Sequence, residues 1–131
     1  MAEGLSVDTA NALLSAIFQQ TSYAVTGLWV QLHTDAPGSD GTSNVAANDT
    51  RMDATACFGS APAGGSIAND VEIGPWFSAP ASETYTHASL WTASSGGTFV
   101  GSGTITSAAV TTGDDFPIPI GDLAASFPVA A

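Results

Sequence analysis

The sequence predicts a mostly β protein: an antiparallel β-sandwich or small barrel of about seven strands, with one N-terminal α-helix. Three observations carry that expectation. Between residues 83 and 127, runs rich in Thr, Val, Ile, Phe, Tyr and Trp are separated by SSGG and TTGDD. β-branched and aromatic side chains suit a pleated, half-buried surface, and Gly and Asp supply the turns. Turn signals also recur every 8–12 residues or so, the spacing of an antiparallel sandwich. Helical periodicity, by contrast, occurs once, near the start of the chain.

That helix is expected over residues 8–20, DTANALLSAIFQQ, where Ala10, Leu13, Leu14, Ile17 and Phe18 fall on one face. Ser6 or Asp8 can cap its first turn through a side-chain oxygen. Its apolar stripe needs cover, either from its own sheet or from a neighbouring subunit. Residues 27–34, GLWVQLHT, alternate, with Leu28, Val30 and Leu32 on one side and Trp29, Gln31 and His33 on the other. A long loop over 35–50 follows, crowded with turn formers and without periodicity. Loops of that length in a compact domain are often interaction elements.

A short strand is expected over 53–59 and a further one over 66–77, where Val71 and Ile73 share a face and Pro75 marks an edge. Over 83–92, Tyr85 and Trp91 are expected on one face and Ala88 and Leu90 on the other. SSGG at 94–97 makes a hairpin with 98–106, in which Phe99 and Ile105 are in phase. In FPIPI, Phe116, Ile118 and Ile120 share a face, and Pro117 and Pro119 keep this strand from a central position in a sheet. Leu123, Ala125, Phe127 and Val129 alternate again. With 131 residues and no linker or repeat, the chain reads as a single domain, 1–131.

Composition limits the partners. Charged residues make up 10% of the chain and hydrophobic ones 44%, unlike a disordered chain. Twelve acidic residues face a single cation, Arg51, for a net charge of −11. Phosphate recognition needs clustered Arg and Lys, so no nucleic-acid partner is expected, and an anionic membrane surface is disfavoured likewise. The acidity serves solubility and opposes unwanted self-association. No run approaches the roughly 18 apolar residues of a membrane span, and MAEGLSVD lacks the basic n-region of a Sec signal. Cys57 is alone, which leaves it as a small buried hydrophobe beside Phe58.

No catalytic, cofactor-binding or metal constellation stands out. His33 and His87 lie on expected strands without a second ligand at metal spacing. Asp35 and Asp40 in DAPGSDG lack the alternating ligands of an EF-hand loop. There is no GxSxG elbow, and the expectation is that the protein is not an enzyme and holds no cofactor. Trp29, Trp76 and Trp91 could furnish a sugar-binding face, but strand tryptophans are more often core residues. Arg51 is the structural or interface candidate. A lone cation among twelve anions is expected to fork onto a carboxylate, within the subunit or across an interface.

Three pieces in order, LHTDAPGSDGTSN (32–44), ETYTHASLWTASSGGTFVGSGTIT (83–106) and VTTGDDFPIPIGDL (110–123), resemble small virion structural proteins of actinobacterial tailed phages. Members of that family are described as capsid decoration, minor tail or tail-fibre proteins. The early helix and Arg51 after the long loop fit as well. The resemblance implies no activity. It implies a virion protein, first as a capsid decoration protein on the outer surface of the head. Its partners would then be the major capsid protein and copies of itself, as a homotrimer. The alternative is a tail or fibre component, and a third reading is a carbohydrate-binding module. Residues 2–7 and the loop 35–50 are the expected contact segments.

Overall fold

The structure, a computed structural model, describes residues 4–127, 129 and 130. In chain order it contains β1 (Gly4–Leu5), α1 (Val7–Phe18), β2 (Trp29–His33), β3 (Met52–Asp53), β4 (Ser66–Ala68) and β5 (Ile73–Trp76). β6 (Glu83–Trp91), β7 (Phe99–Val110), β8 (Phe116–Ile118) and β9 (Ala124–Ser126) complete it. Five strands form an antiparallel sheet in the order β1-β7-β6-β2-β3, while β4 pairs with β9 and β5 with β8 as two-stranded ribbons. The sheet stays open, so the architecture is the sandwich and not the barrel. Val30, Leu32 and Ala88 of the sheet meet Ile73, Trp76, Phe116 and Ile118 of the β5–β8 ribbon in one core.

Local chemistry explains the main hairpin. Thr92 donates to the Thr98 carbonyl at 3.1 Å, and Gly96 and Gly97 take φ of 63° and 71°, a conformation glycine adopts at no steric cost. β6 and β7 pair along their length, but the register slips between Tyr85 and His87, and again between Leu90 and Trp91. These slips break the strict alternation read from sequence. Tyr85 enters the core, 5.2 Å from the Phe116 ring, whereas Trp91 lies outside the core cluster, against Phe99 at 5.3 Å. Tyr85 and Trp91 therefore do not share an environment, and Phe99 is out of phase with Ile105, which joins the core.

Other expectations move too. The strand expected over 53–59 shrinks to β3, because Asp53 turns the chain by accepting from the Thr55 amide at 2.9 Å. The segment 66–77 splits into β4 and β5, leaving Val71 exposed while Ile73 is fully buried. Asn69 makes that break. Its buried side chain donates to the Val71 and Pro119 carbonyls at 2.9 and 3.0 Å and accepts from the Leu123 amide at 3.0 Å. Its backbone bonds Leu123 and Gly121 as well. One asparagine thus ties the β4–β5 corner to the chain between β8 and β9. Pro117 sits on β8, which pairs only with β5, as its missing N–H requires. Ile120 and Phe127, expected to continue the buried faces, are exposed.

Two substitutions separate satisfied from unsatisfied polar burial. Asn69→Ala removes three hydrogen bonds and strands their partners, and should cost about 2–4 kcal/mol in chemical denaturation. Tyr85→Phe should cost less, about 1 kcal/mol or below, because the buried Tyr85 hydroxyl and the buried Asn48 side-chain amide nitrogen have only a weak contact with each other to set against their desolvation.

Candidate functional site

Two regions outside the core hold what the fold leaves over: an N-terminal arm with an adjoining apolar groove, and a polar network under the long loop. The arm begins firmly. Ser6 donates its amide to the Val100 carbonyl at 3.0 Å, and its hydroxyl accepts from the Thr9 amide at 3.1 Å, so the expected N-cap is Ser6. Ser6 and Thr9 are buried. Beyond them cover is lost. Leu13 is half-buried, but Leu14, Ile17 and Phe18 are 54%, 67% and 75% exposed. Residues 19–26 are exposed throughout. The helical stripe is real, and the chain's own sheet does not cover its outer edge.

The groove lies between the β1–β7–β6 part of the sheet and the β4–β9 ribbon, with a volume of about 650 Å³. Leu5, Phe58, Ile67, Leu90, Leu123 and Phe127 give it an apolar wall, and no lining residue is charged. Gly101 is needed there: a Cβ would stand 2.8 Å from the Gly4 carbonyl oxygen, so a side chain would push β1 off the sheet. Of the contact segment expected over 2–7, Ala2 and Glu3 lie outside the described residues; Gly4 and Leu5 form β1, and Leu5 lines the groove.

The loop over 35–50 is not free. Thr34 donates to the Asn44 carbonyl at 2.9 Å and Ala46 to the Leu32 carbonyl at 3.0 Å, so its first part folds back beside β2. His33, fully buried, is what it closes over. The Nδ1 of His33 is 2.8 Å from the Ser43 carbonyl oxygen. A carbonyl only accepts, so Nδ1 carries the hydrogen and Nε2 accepts from the Ser89 hydroxyl at 2.7 Å. Ser89 Oγ in turn accepts from Trp91 Nε1 at 2.8 Å. Burial pushes His33 below the ordinary histidine value, the Ser43 carbonyl opposes that, and His87, paired with it across the strands, reinforces it. A serine hydrogen-bonded to a histidine has the outline of a nucleophile and its base. Here both residues are fully buried, so no substrate reaches Ser89 Oγ. The network pins loop to sheet.

Arg51 extends this face. Its guanidinium lies 4.0 Å over the Trp91 ring, and Nη1 donates to the Ala93 and Gly96 carbonyls at 2.9 and 2.8 Å. Among the described residues the expected carboxylate partner is replaced by a ring and two carbonyls of the β6–β7 turn. This is a cation–π contact reinforced by hydrogen bonds. The other candidates fall apart in space. Asp35 accepts from the Ala36 amide, Asp40 from the Thr42 amide and hydroxyl, and no group of three or more His, Cys, Asp or Glu among the described residues could hold a metal ion. Cys57 is buried, with its thiol pushed up by that burial. Trp76 is in the core, Trp91 is under Arg51 and Trp29 is half-buried, so no row of exposed indoles faces solvent. Ser89 carries no motif in the sequence. Only its position opposite Gln31, between Trp91 and His87 on one strand, pointed to it.

The molecule is thus a β-sandwich with an exposed apolar helix edge, an apolar groove and a polar network sealed beneath the long loop. Residues 4–126 match the sequence model of a family described as "Podophage GP4 fiber I protein gp80", and the chain belongs to that family. It is a virion structural protein of a bacteriophage. The family description supports neither the actinobacterial origin nor the decoration role that the sequence resemblance suggested. No curated protein matches the chain.

Protonation of His33 gives a test of the network. Its folded value is depressed, so the unfolded chain binds a proton first; stability is intact above the ordinary value near 6.5 and falls as pH drops from there towards the folded value. The melting temperature should decline between pH 7 and 5, and His33→Gln should flatten that limb. A second decline, below about pH 4, should persist in the variant. Asp40, Asp53, Asp70 and Asp114 all have depressed values, because hydrogen bonds from Thr42, Thr55, Gly59 with Ser60, and Thr111 favour their charged forms.

Proposed function

We propose that this protein is a fibre or tail component of the virion that acts through shape and self-assembly, as a homo-oligomer and without catalysis. The observation that carries the reading is the family match, which spans residues 4–126 and bears a fibre description. The fold agrees with it. Its sequence is poor in charge and rich in Ser, Thr and Ala, side chains that lose little rotamer entropy when covered, and the outer apolar edge of its helix is not covered by the described residues. The fibre description makes a tail protein the favoured neighbour over the major capsid protein. Burial of Trp76 and Trp91 counts against a carbohydrate-binding face of stacked indoles.

Gold-labelled antibody against the protein, applied to intact virions and viewed by negative-stain microscopy, tests the location. Label confined to the tail or its fibres is expected. Label spread over the head would overturn the reading in favour of a capsid decoration protein bound to the major capsid protein.

A further inference from the structure

Thr42, Ser43 and Asn44 are exposed, while His33 beneath the Ser43 carbonyl is fully buried, so one thickness of chain separates that imidazole from water. We propose that His33 is an acid-sensitive latch: its protonation frees the loop between Thr34 and Ala46 from the sheet, while the β2–β6 ladder under it stays paired. The closed loop is held by few contacts. Thr34 donates to the Asn44 carbonyl, Ala46 donates to the Leu32 carbonyl, and the Ser43 carbonyl accepts from His33 Nδ1. Gly41, with φ of 76°, is buried against Phe99, whose ring a Cβ would meet at 2.6 Å.

Hydrogen-bond chemistry makes the closed loop a state of the neutral imidazole. With Nδ1 donating to Ser43, Nε2 accepts from the Ser89 hydroxyl, whose oxygen already accepts from Trp91 Nε1. A proton on Nε2 turns that acceptor into a donor, so the Ser89 hydrogen must leave it, and a charge then stands in a fully buried place. Among the described residues no carboxylate hydrogen-bonds to the ring, whose nitrogens meet a carbonyl and a hydroxyl. On β6 are His87, directly across from His33, and Glu83, which accepts from the Ala47 and Asn48 amides. The loop carries Asp35 and Asp40, both hydrogen-bonded within it, and Asp49, with Arg51 beyond them over Trp91. On β3, Asp53 stands opposite Trp29 at the far end of β2, and β7 has no charged residue from Phe99 to Val110. Burial and the charge of His87 both oppose protonation of His33 in the closed state. A buried charge without a counter-charge must find water. The sheet can admit water only by breaking its ladder, whereas the loop gives up only its own few bonds. In water the imidazole holds its proton more tightly than in the closed site, so falling pH favours the open loop. Opening uncovers Phe99 and the His33–Ser89 pair without arming Ser89, because the proton that opens the loop occupies Nε2, the atom a base would use.

Nuclear magnetic resonance of the full chain tests the latch, with His33 protonation followed on its ring and amide exchange corrected for its intrinsic pH dependence. As His33 titrates on lowering the pH from about 7, the Thr34 and Ala46 amides should lose protection about tenfold or more, while amides of the β2–β6 ladder keep theirs. In His33→Gln the protection of the loop amides should be independent of pH over the same range. Should His33→Gln not fold, Ser89→Ala reads the same device: without the hydroxyl the neutral ring loses its donor, so opening should move to higher pH. Loop and ladder amides losing protection together would overturn the proposal in favour of unfolding of the whole domain. A protonated His33 beneath a loop that stays protected would overturn it as well. An acid response unchanged in His33→Gln, or in Ser89→Ala where that variant is used, would overturn it and assign the response to the carboxylates. None of these outcomes depends on where antibody labels the virion.

Discussion

With Arg51 as its single cation, the chain cannot neutralise twelve carboxylates by ion pairing, and its loops are organised around that shortage. The acids take backbone amides instead. Glu83 accepts from Ala47 and Asn48, Asp70 from Gly59, Asp115 from Ser78, Asp114 from Thr111 and Asp122 from Thr106. Each of these links a carboxylate to an N–H that no strand partner reaches. Amide groups left over from short strands and turns must find acceptors, and a chain rich in Asp and poor in long strands supplies them from side chains. The carboxylates that give the chain its net charge of −11 are the same groups that close the loops. Arg51 itself goes to the Ala93 and Gly96 carbonyls of the β6–β7 turn.

What could be read in the sequence follows from how local each determinant is. The SSGG turn, the Ser6 cap and the alternation of β2 are set by residues within a few positions of one another, and the structure has them. The two proline-bearing segments sit in a ribbon outside the main sheet, because the missing N–H is also a local fact. The strand phases after residue 85 were not legible. They depend on where the β6–β7 register slips, and a slip is a property of two strands together. The break at Asn69 escaped for the same reason: its three side-chain partners are Val71, Pro119 and Leu123, two of them about fifty residues away.

The candidate sites divide along the same line. His33 was visible as a strand histidine, but its partner Ser89 lies 56 positions on and carries no motif, so the pair exists only through the β2–β6 register. Arg51 was singled out by rarity, which gave the residue and not its partner. Charge counting points a lone cation to an anion; geometry places it beside an indole and two carbonyls of the β6–β7 turn. The amphipathic stripe of α1 was legible in full as a pattern. Whether a stripe is covered is a tertiary question, and periodicity cannot answer it.

That last distinction sorts the molecule into a finished body and an unfinished arm. Among the described residues of the body, the conspicuous polar burials are satisfied apart from the Asn48 and Tyr85 side chains, and apolar residues from both layers meet in one core. In the arm, Ser6 and Thr9 fix the start of the helix against β7 while the side chains beyond them face outward. Fixing the base has a consequence. A loosely attached amphipathic helix would lose much conformational entropy on docking, whereas one already capped and anchored has lost part of it within the subunit. The buried hydroxyl pair at the foot of α1 therefore sets the direction in which the exposed Ile17 and Phe18 are presented.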